Sequence, residues 1–143
     1  MLEFLHRDVA TSSVVVTGRG AYFCAAAKFD EMLRPAHPSE LTSEITLGTA
    51  VLFESFIDFG KPIVAAINGP AFGGGVTQAT LCDLIVSVSL AKFVLPFSDW
   101  SVSPEGCSSV HVSRVAGRQT AAKLMVDSWN PDASQAKAIS LVS

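Results

Sequence analysis

Apolar residues along this chain fall into short β-branched blocks separated by longer stretches with helical spacing. Residues 13–17 (SVVVT), 62–68 (PIVAAIN) and 83–89 (DLIVSVS) are near-continuous apolar runs bounded by Gly, Pro, Asn or Asp, the pattern of buried strands. Gly18, Arg19 and Gly20 close the first run with a turn, and residues 92–97 (KFVLPF) read as a further short strand. Leu41, Ile45, Val51, Leu52, Phe56 and Phe59 recur near the helical period, predicting a helix over 41–58 that Gly60 and Pro62 stop. Further helices are predicted over 74–82, 105–116, 118–127 and 132–138, with Asn130-Pro131 as a break. Residues 34–40 (RPAHPSE), with two prolines, read as a loop, and the Ala-rich residues 24–34 as a loop entering a short helix. Alternation of strands and helices predicts an α/β domain with mainly parallel, buried strands. The chain opens almost directly on a core strand and closes, at Leu141-Val142-Ser143, inside what reads as another.

Composition narrows the class. At 143 residues one domain is expected. Hydrophobic residues make up 49% and charged residues 16%, with a mean hydropathy of +0.41. No run of roughly 18 apolar residues is uninterrupted, which excludes a spanning helix. The apolar excess therefore points to subunit contacts or to a piece of a larger fold. A net charge of −3 and no Lys/Arg cluster argue against a nucleic-acid partner. Cys24, Cys82 and Cys107 are odd in number and far apart, as reduced thiols would be. The first residues lack the apolar core of a signal peptide, and the last three are not a peroxisomal address, so the compartment stays open.

Chemistry concentrates in three places. Residues 69–80 (GPAFGGGVTQAT) place three consecutive glycines between a strand and a helix. Backbone N–H groups there can face a ligand carrying negative charge, although a close strand–helix contact explains the glycines equally well. Neither a phosphate loop nor a dinucleotide fingerprint fits that spacing. Residues 22–29 (YFCAAAKF) offer a second corner of small side chains after a turn, with a plain Ala-rich helix start as the simpler reading. Glu105, in SVSPEGCSSV, is the third. It suits the first turn of a helix capped by Ser103 with Pro104 at its first position. Beside Trp100, Val102 and the VLPF run it also suits a base whose pKa an apolar wall raises. One carboxylate and two donor corners form a set for enolate chemistry, with the base removing a proton α to a carbonyl and the donors holding the oxyanion. Cys107 and His111, four apart, invite a thiol–imidazole pair, but such partners normally converge from separate elements. His6, His37 and His111 show no metal-ligand spacing, and no metal is expected.

In order, VVVTGRGAYFCAAAKF, KPIVAAINGPAFGGG, CDLIVSVSLAKFVLPFS and SVSPEGCSS resemble the enoyl-CoA hydratase/isomerase superfamily, the crotonase fold. The resemblance runs from about Ser13 to the end, and its nearest look is to Δ3,Δ2-enoyl-CoA isomerases of the peroxisomal type, which share the SPEG segment. It implies a spiral of ββα units in one domain over 1–143, shortened at both ends relative to the family. It also implies an acyl-CoA thioester as substrate, CoA being part of that substrate and no separate cofactor being needed. A homo-oligomer, trimeric or hexameric, and a peroxisome-type organelle or mitochondrion are implied as well.

The resemblance carries over residue by residue. Glu105 stands at the isomerase base, and the N–H groups of Ala27 and Gly74 stand at the oxyanion hole. Ala25, Ala26, Lys28, Phe29, Gly73 and Gly75 stand at substrate-binding positions. Hydratases use two glutamates to add water, and their places are taken here by Thr77 and Phe97. The expected activity is therefore isomerisation of a 3-enoyl-CoA to the 2-enoyl-CoA in fatty-acid oxidation. Ala26 replaces a usual glycine, Lys28 a usual aspartate, and Ser140 the usual glycine before the last strand. These departures motivate the alternative, a catalytically silent module of the same fold that binds acyl-CoA or a protein.

Overall fold

Three times in succession the chain lays down two strands and returns through a helix. The structure, a computed structural model, describes residues 1–28 and 34–143. Strands β1 (Val14–Thr17), β3 (Ile63–Ile67) and β5 (Leu84–Ser87) form one parallel sheet in the order β1-β3-β5. Strands β2 (Cys24–Ala25), β4 (Ala71–Phe72) and β6 (Phe93–Val94) form a second, also parallel, in the order β2-β4-β6. Each consecutive strand pair thus gives one strand to each sheet, as the expected ββα spiral requires.

The long strands form where β-branched residues run together. Ile63, Ala65, Ile67 and Ile85 are buried on one face of the first sheet. Burial is one-sided, since Val15, Leu84 and Val86 on the opposite face are exposed. Side chains fix the register. Asp83 accepts from the Ile63 N–H at 2.8 Å and donates its own N–H to the Ile63 carbonyl at 2.9 Å, tying β5 to β3. Asn68 accepts from the Gly18 N–H at 2.8 Å and donates to the Gly20 carbonyl at 2.9 Å, clamping the turn between β1 and β2.

Helices cover the inner faces. After a six-residue α1 (Leu2–Arg7), α2 (Pro38–Ile57) follows β2 and α3 (Gly74–Thr80) follows β4. Then come α4 (Ser108–Ala116), α5 (Arg118–Met125) and α6 (Ala133–Ala138), the last closed by an Asp132–Gln135 capping box. The main core gathers Ile67, Val76, Phe93, Leu95, Val112 and Leu124 with their neighbours. A smaller cluster of Phe56, Phe59 and Ile63 meets α1, where Lys61 Nζ donates to the carbonyls of Leu5 and Asp8, both at 2.7 Å.

Several expectations need correction. The chain opens on α1, a helix too short to show a period, rather than on a strand. Helix α2 starts within the segment read as a loop, because Pro38 is tolerated at the first position and His37 caps it. Ala71-Phe72 and Cys24-Ala25 are strands, where loops had been predicted. Helix α4 begins at Ser108, three residues after Glu105. Gly106 and Cys107 both have positive φ, 57° and 62°, and no right-handed helix passes through them. Ser103 and Pro104 therefore do not start this helix. The end of the chain is no strand, although Leu141 and Val142 are buried and the Ser143 N–H donates to Ile85 at 2.8 Å. Residues 29–33 of the segment read as a loop entering a short helix lie outside the described residues.

Candidate active site

The glycine run shapes one wall of the site, each residue for its own reason. Gly73 has φ 51° and ψ −123°, a conformation that side-chain-bearing residues rarely adopt, and it turns β4 into α3. At Gly74 a Cβ would lie 3.0 Å from Glu105 Oε1, so the missing methyl lets the carboxylate approach the backbone. At Gly75 a Cβ would lie 2.3 Å from the Cβ of Cys24, so its absence seats α3 directly on β2.

Opposite lies the corner after β2. Ala26 has φ 72°, the left-handed conformation that favours glycine. The chain therefore keeps at this position the backbone shape that a glycine would take without strain. Ser140, the other replaced glycine, likewise has φ 61°.

Glu105 stands between two cavities. One, of about 320 Å³, opens towards Gly48, Thr49, Leu52 and Phe53 of α2. The other, of about 200 Å³, is lined by Pro96, Phe97, Trp100 and Val102. Ala26, Ala27, Gly74 and Glu105 belong to both walls. Larger depressions, of about 490 and 560 Å³, flank α1 and are lined by exposed side chains such as Glu3 and Arg7, which pair with each other. Burial pushes the Glu105 carboxyl above its ordinary value, and the Gly74 N–H facing it pulls the other way. An acid of raised pKa beside a backbone donor in a partly apolar hollow suits proton abstraction next to a polarised carbonyl.

The expected site residues divide clearly. Gly73 lines only the smaller cavity and Gly75 only the larger. Ala25 pairs with Phe72 in the second sheet and lines neither, and neither does Lys28. Phe29 lies outside the described residues. The Cys107–His111 pair does not form, because the His111 ring is bonded to the Thr80 carbonyl while Cys107 is exposed. Burial and the nearby Asp83 push the Cys82 thiol up to about 11, which keeps it protonated and unreactive. Among the described residues no group of three metal-ligating side chains is gathered, and no helix is long and apolar enough to cross a membrane.

Phe53, Thr49 and Gln78 line the larger cavity without having been singled out from the sequence. Phe53 follows the noted helix position Leu52 by one residue, and the helical spacing by itself does not turn it inward. It is 5% exposed, whereas its neighbour Val51 is 58% exposed. Thr77 and Phe97 are both buried, and Thr77 Oγ1 finds no hydrogen-bond partner among the described residues.

Comparison with known proteins gives the same picture. The family model described as enoyl-CoA hydratase/isomerase matches residues 1–143. Mouse peroxisomal enoyl-CoA delta isomerase 3 is 32% identical over 150 residues, covering 99% of this chain and 47% of that protein. The 2,3-dehydroadipyl-CoA hydratase of Escherichia coli K12 is 31% identical over 142 residues, covering 99% and 54%. The solved structure of Pseudomonas aeruginosa DspI superposes with a TM-score of 0.91 at 30% identity, over 99% of this chain and 53% of that one. The chain spans about half or less of the length of the curated relatives it matches. With its two parallel sheets, its glycine corner and this match along its full length, the chain belongs to the enoyl-CoA hydratase/isomerase family.

Proposed function

We propose that the chain carries the site of an acyl-CoA double-bond isomerase, converting a 3-enoyl-CoA to the conjugated 2-enoyl-CoA. Glu105 takes a proton from C2, the N–H groups of Ala27 and Gly74 hold the developing dienolate oxygen, and Glu105 returns the proton at C4. In the unliganded chain the Gly74 N–H faces the Glu105 carboxylate, and the thioester oxygen takes over that donor as substrate enters. One carboxylate suffices because a single proton is moved along the acyl chain. Adding water would ask for a second group to activate it.

A single observation carries this reading. Of all the described residues lining the two cavities that meet at Glu105, Glu105 is the only carboxylate. Thr77 and Phe97 stand buried where the hydratase acids are expected. The relatives by themselves do not choose, since one is named an isomerase and another a hydratase. Family membership and the raised Glu105 pKa both support an enzyme of this class.

Homo-oligomers and a peroxisome-type or mitochondrial location belong to the same proposal, checked by sedimentation and by imaging of a tagged chain. The experiment for the reaction is incubation with a 3-enoyl-CoA followed by mass and absorbance. A conjugated product of unchanged mass is expected. A hydratase would instead leave the 3-enoyl-CoA unchanged and add one water to a 2-enoyl-CoA, and CoA binding without turnover of either would leave the silent module.

A further inference from the structure

Phe53 is 5% exposed, yet among the described residues it belongs to neither of the buried apolar clusters around Phe93 and around Phe59. Its ring is at the site instead. A Cβ on Gly106 would lie 2.4 and 2.5 Å from Cε1 and Cζ of Phe53, and 2.6 Å from Thr77 Cγ2. The same Cζ lies 3.8 Å from the position a Cβ would take on Gly74. The ring thus fills the space between the residue that follows Glu105 and a residue facing its carboxylate, and it also lines the larger cavity.

The backbone around Glu105 needs such a support. Gly106 and Cys107 are consecutive residues of positive φ, and α4 begins only after them. The local backbone bond is from the Ser108 N–H to the Glu105 carbonyl at 2.9 Å, which fixes the peptide, and the side chain is placed by the Gly74 N–H and by packing. We propose that Phe53 is a positioning residue for Glu105: its ring, brought in by α2 and wedged between Gly106 and Gly74, holds the carboxylate where the two cavities meet. Because the ring excludes solvent from one side of the carboxyl, it contributes to the burial that raises the Glu105 pKa. Among the described residues, other titratable groups do not account for that effect. Cys24 lines the same cavity, Glu54 faces the depression beside α1, Cys107 is exposed, and His111 is turned to Thr80.

The inference rests on the isomerase reading, and its test separates the two. Glu105 is titrated in the unliganded chain by carbon-13 NMR of labelled glutamate carboxyls, assigned with Glu105→Gln, in wild type, Phe53→Leu and Phe53→Ala. The pKa is expected to fall towards its ordinary value in Phe53→Ala and part of the way in Phe53→Leu. With a 3-enoyl-CoA, kcat is expected to fall on the order of tenfold to a hundredfold in Phe53→Ala while KM changes much less. The acid limb of the pH–rate profile should move to lower pH with the titration. A folded Phe53→Ala chain with unchanged Glu105 titration and unchanged kcat would overturn the proposal. If that variant does not fold, the same result in Phe53→Leu would overturn it. An inactive wild type would count against the isomerase reading alone, because the NMR titration still decides the role of Phe53.

Discussion

Two residues carry strain or cost that the site uses. Ala26 holds φ 72° in the corner that presents Ala27, a conformation costing an L-residue about 1–2 kcal/mol. Ala26→Gly is expected to raise stability by about 1 kcal/mol, the relief exceeding the added freedom of the unfolded chain. Urea denaturation measures it, and a loss of stability would show that the corner is not strained. Glu105 has the opposite signature. Its folded-state pKa lies above the ordinary 4.5, so the folded chain retains the proton longer than the unfolded chain does. Its ionisation therefore costs stability: the cost is absent below the unfolded value and grows as pH rises through the folded one. Glu105→Gln should match wild type in Tm near about pH 4 and exceed it near about pH 8. Equal Tm values at both would remove the argument that the carboxyl is held at a cost. Thr77 adds a third residue-scale case, for its fully buried Oγ1 is unpartnered among the described residues. Thr77→Val, which keeps the shape and removes the hydroxyl, should stabilise by about 1–2 kcal/mol in the same denaturation assay.

Helix α2 and the bend before α4 hold the site as elements. Gly48 lies in the interior of α2, where glycine costs about 1 kcal/mol relative to alanine. A Cβ there would meet nothing within 4 Å among the described residues, and the residue lines the larger cavity. Gly48→Ala is expected to stabilise the chain by about that amount, and calorimetry checks it. At the bend the sign reverses. An alanine at Gly106 would combine φ 57° with contacts of 2.4–2.6 Å to Phe53 and Thr77. Gly106→Ala should destabilise by about 2–4 kcal/mol, measured by the shift in urea midpoint. These two glycines show why α2 tolerates a side chain at residue 48 and the turn following Glu105 does not tolerate one at residue 106.

At the scale of the whole molecule, the first sheet was legible because its strands are β-branched runs, and β1, β3 and β5 lie within one or two residues of their predicted bounds. Of the second sheet only β6 was, inside the strand predicted over 92–97. Strands of two residues show no alternation, and their pairing comes from the turn that Asn68 clamps and from Gly75 meeting Cys24. The start of α4 was hidden for a similar reason, since nothing about a cysteine announces a positive φ. Within the site, Glu105 and the glycine corner could be read from residue type and resemblance. Phe53 could not, because which face of α2 turns inward is set by how the helix docks on the glycines. The central claim is that Glu105 is the single base of an isomerase, and the rate of 3-enoyl-CoA conversion by purified wild type and Glu105→Gln tests it most directly. Conjugated product from wild type, with a loss on the order of a thousandfold or more in the variant, is the expected result. A Glu105→Gln chain that isomerises at the wild-type rate would contradict it.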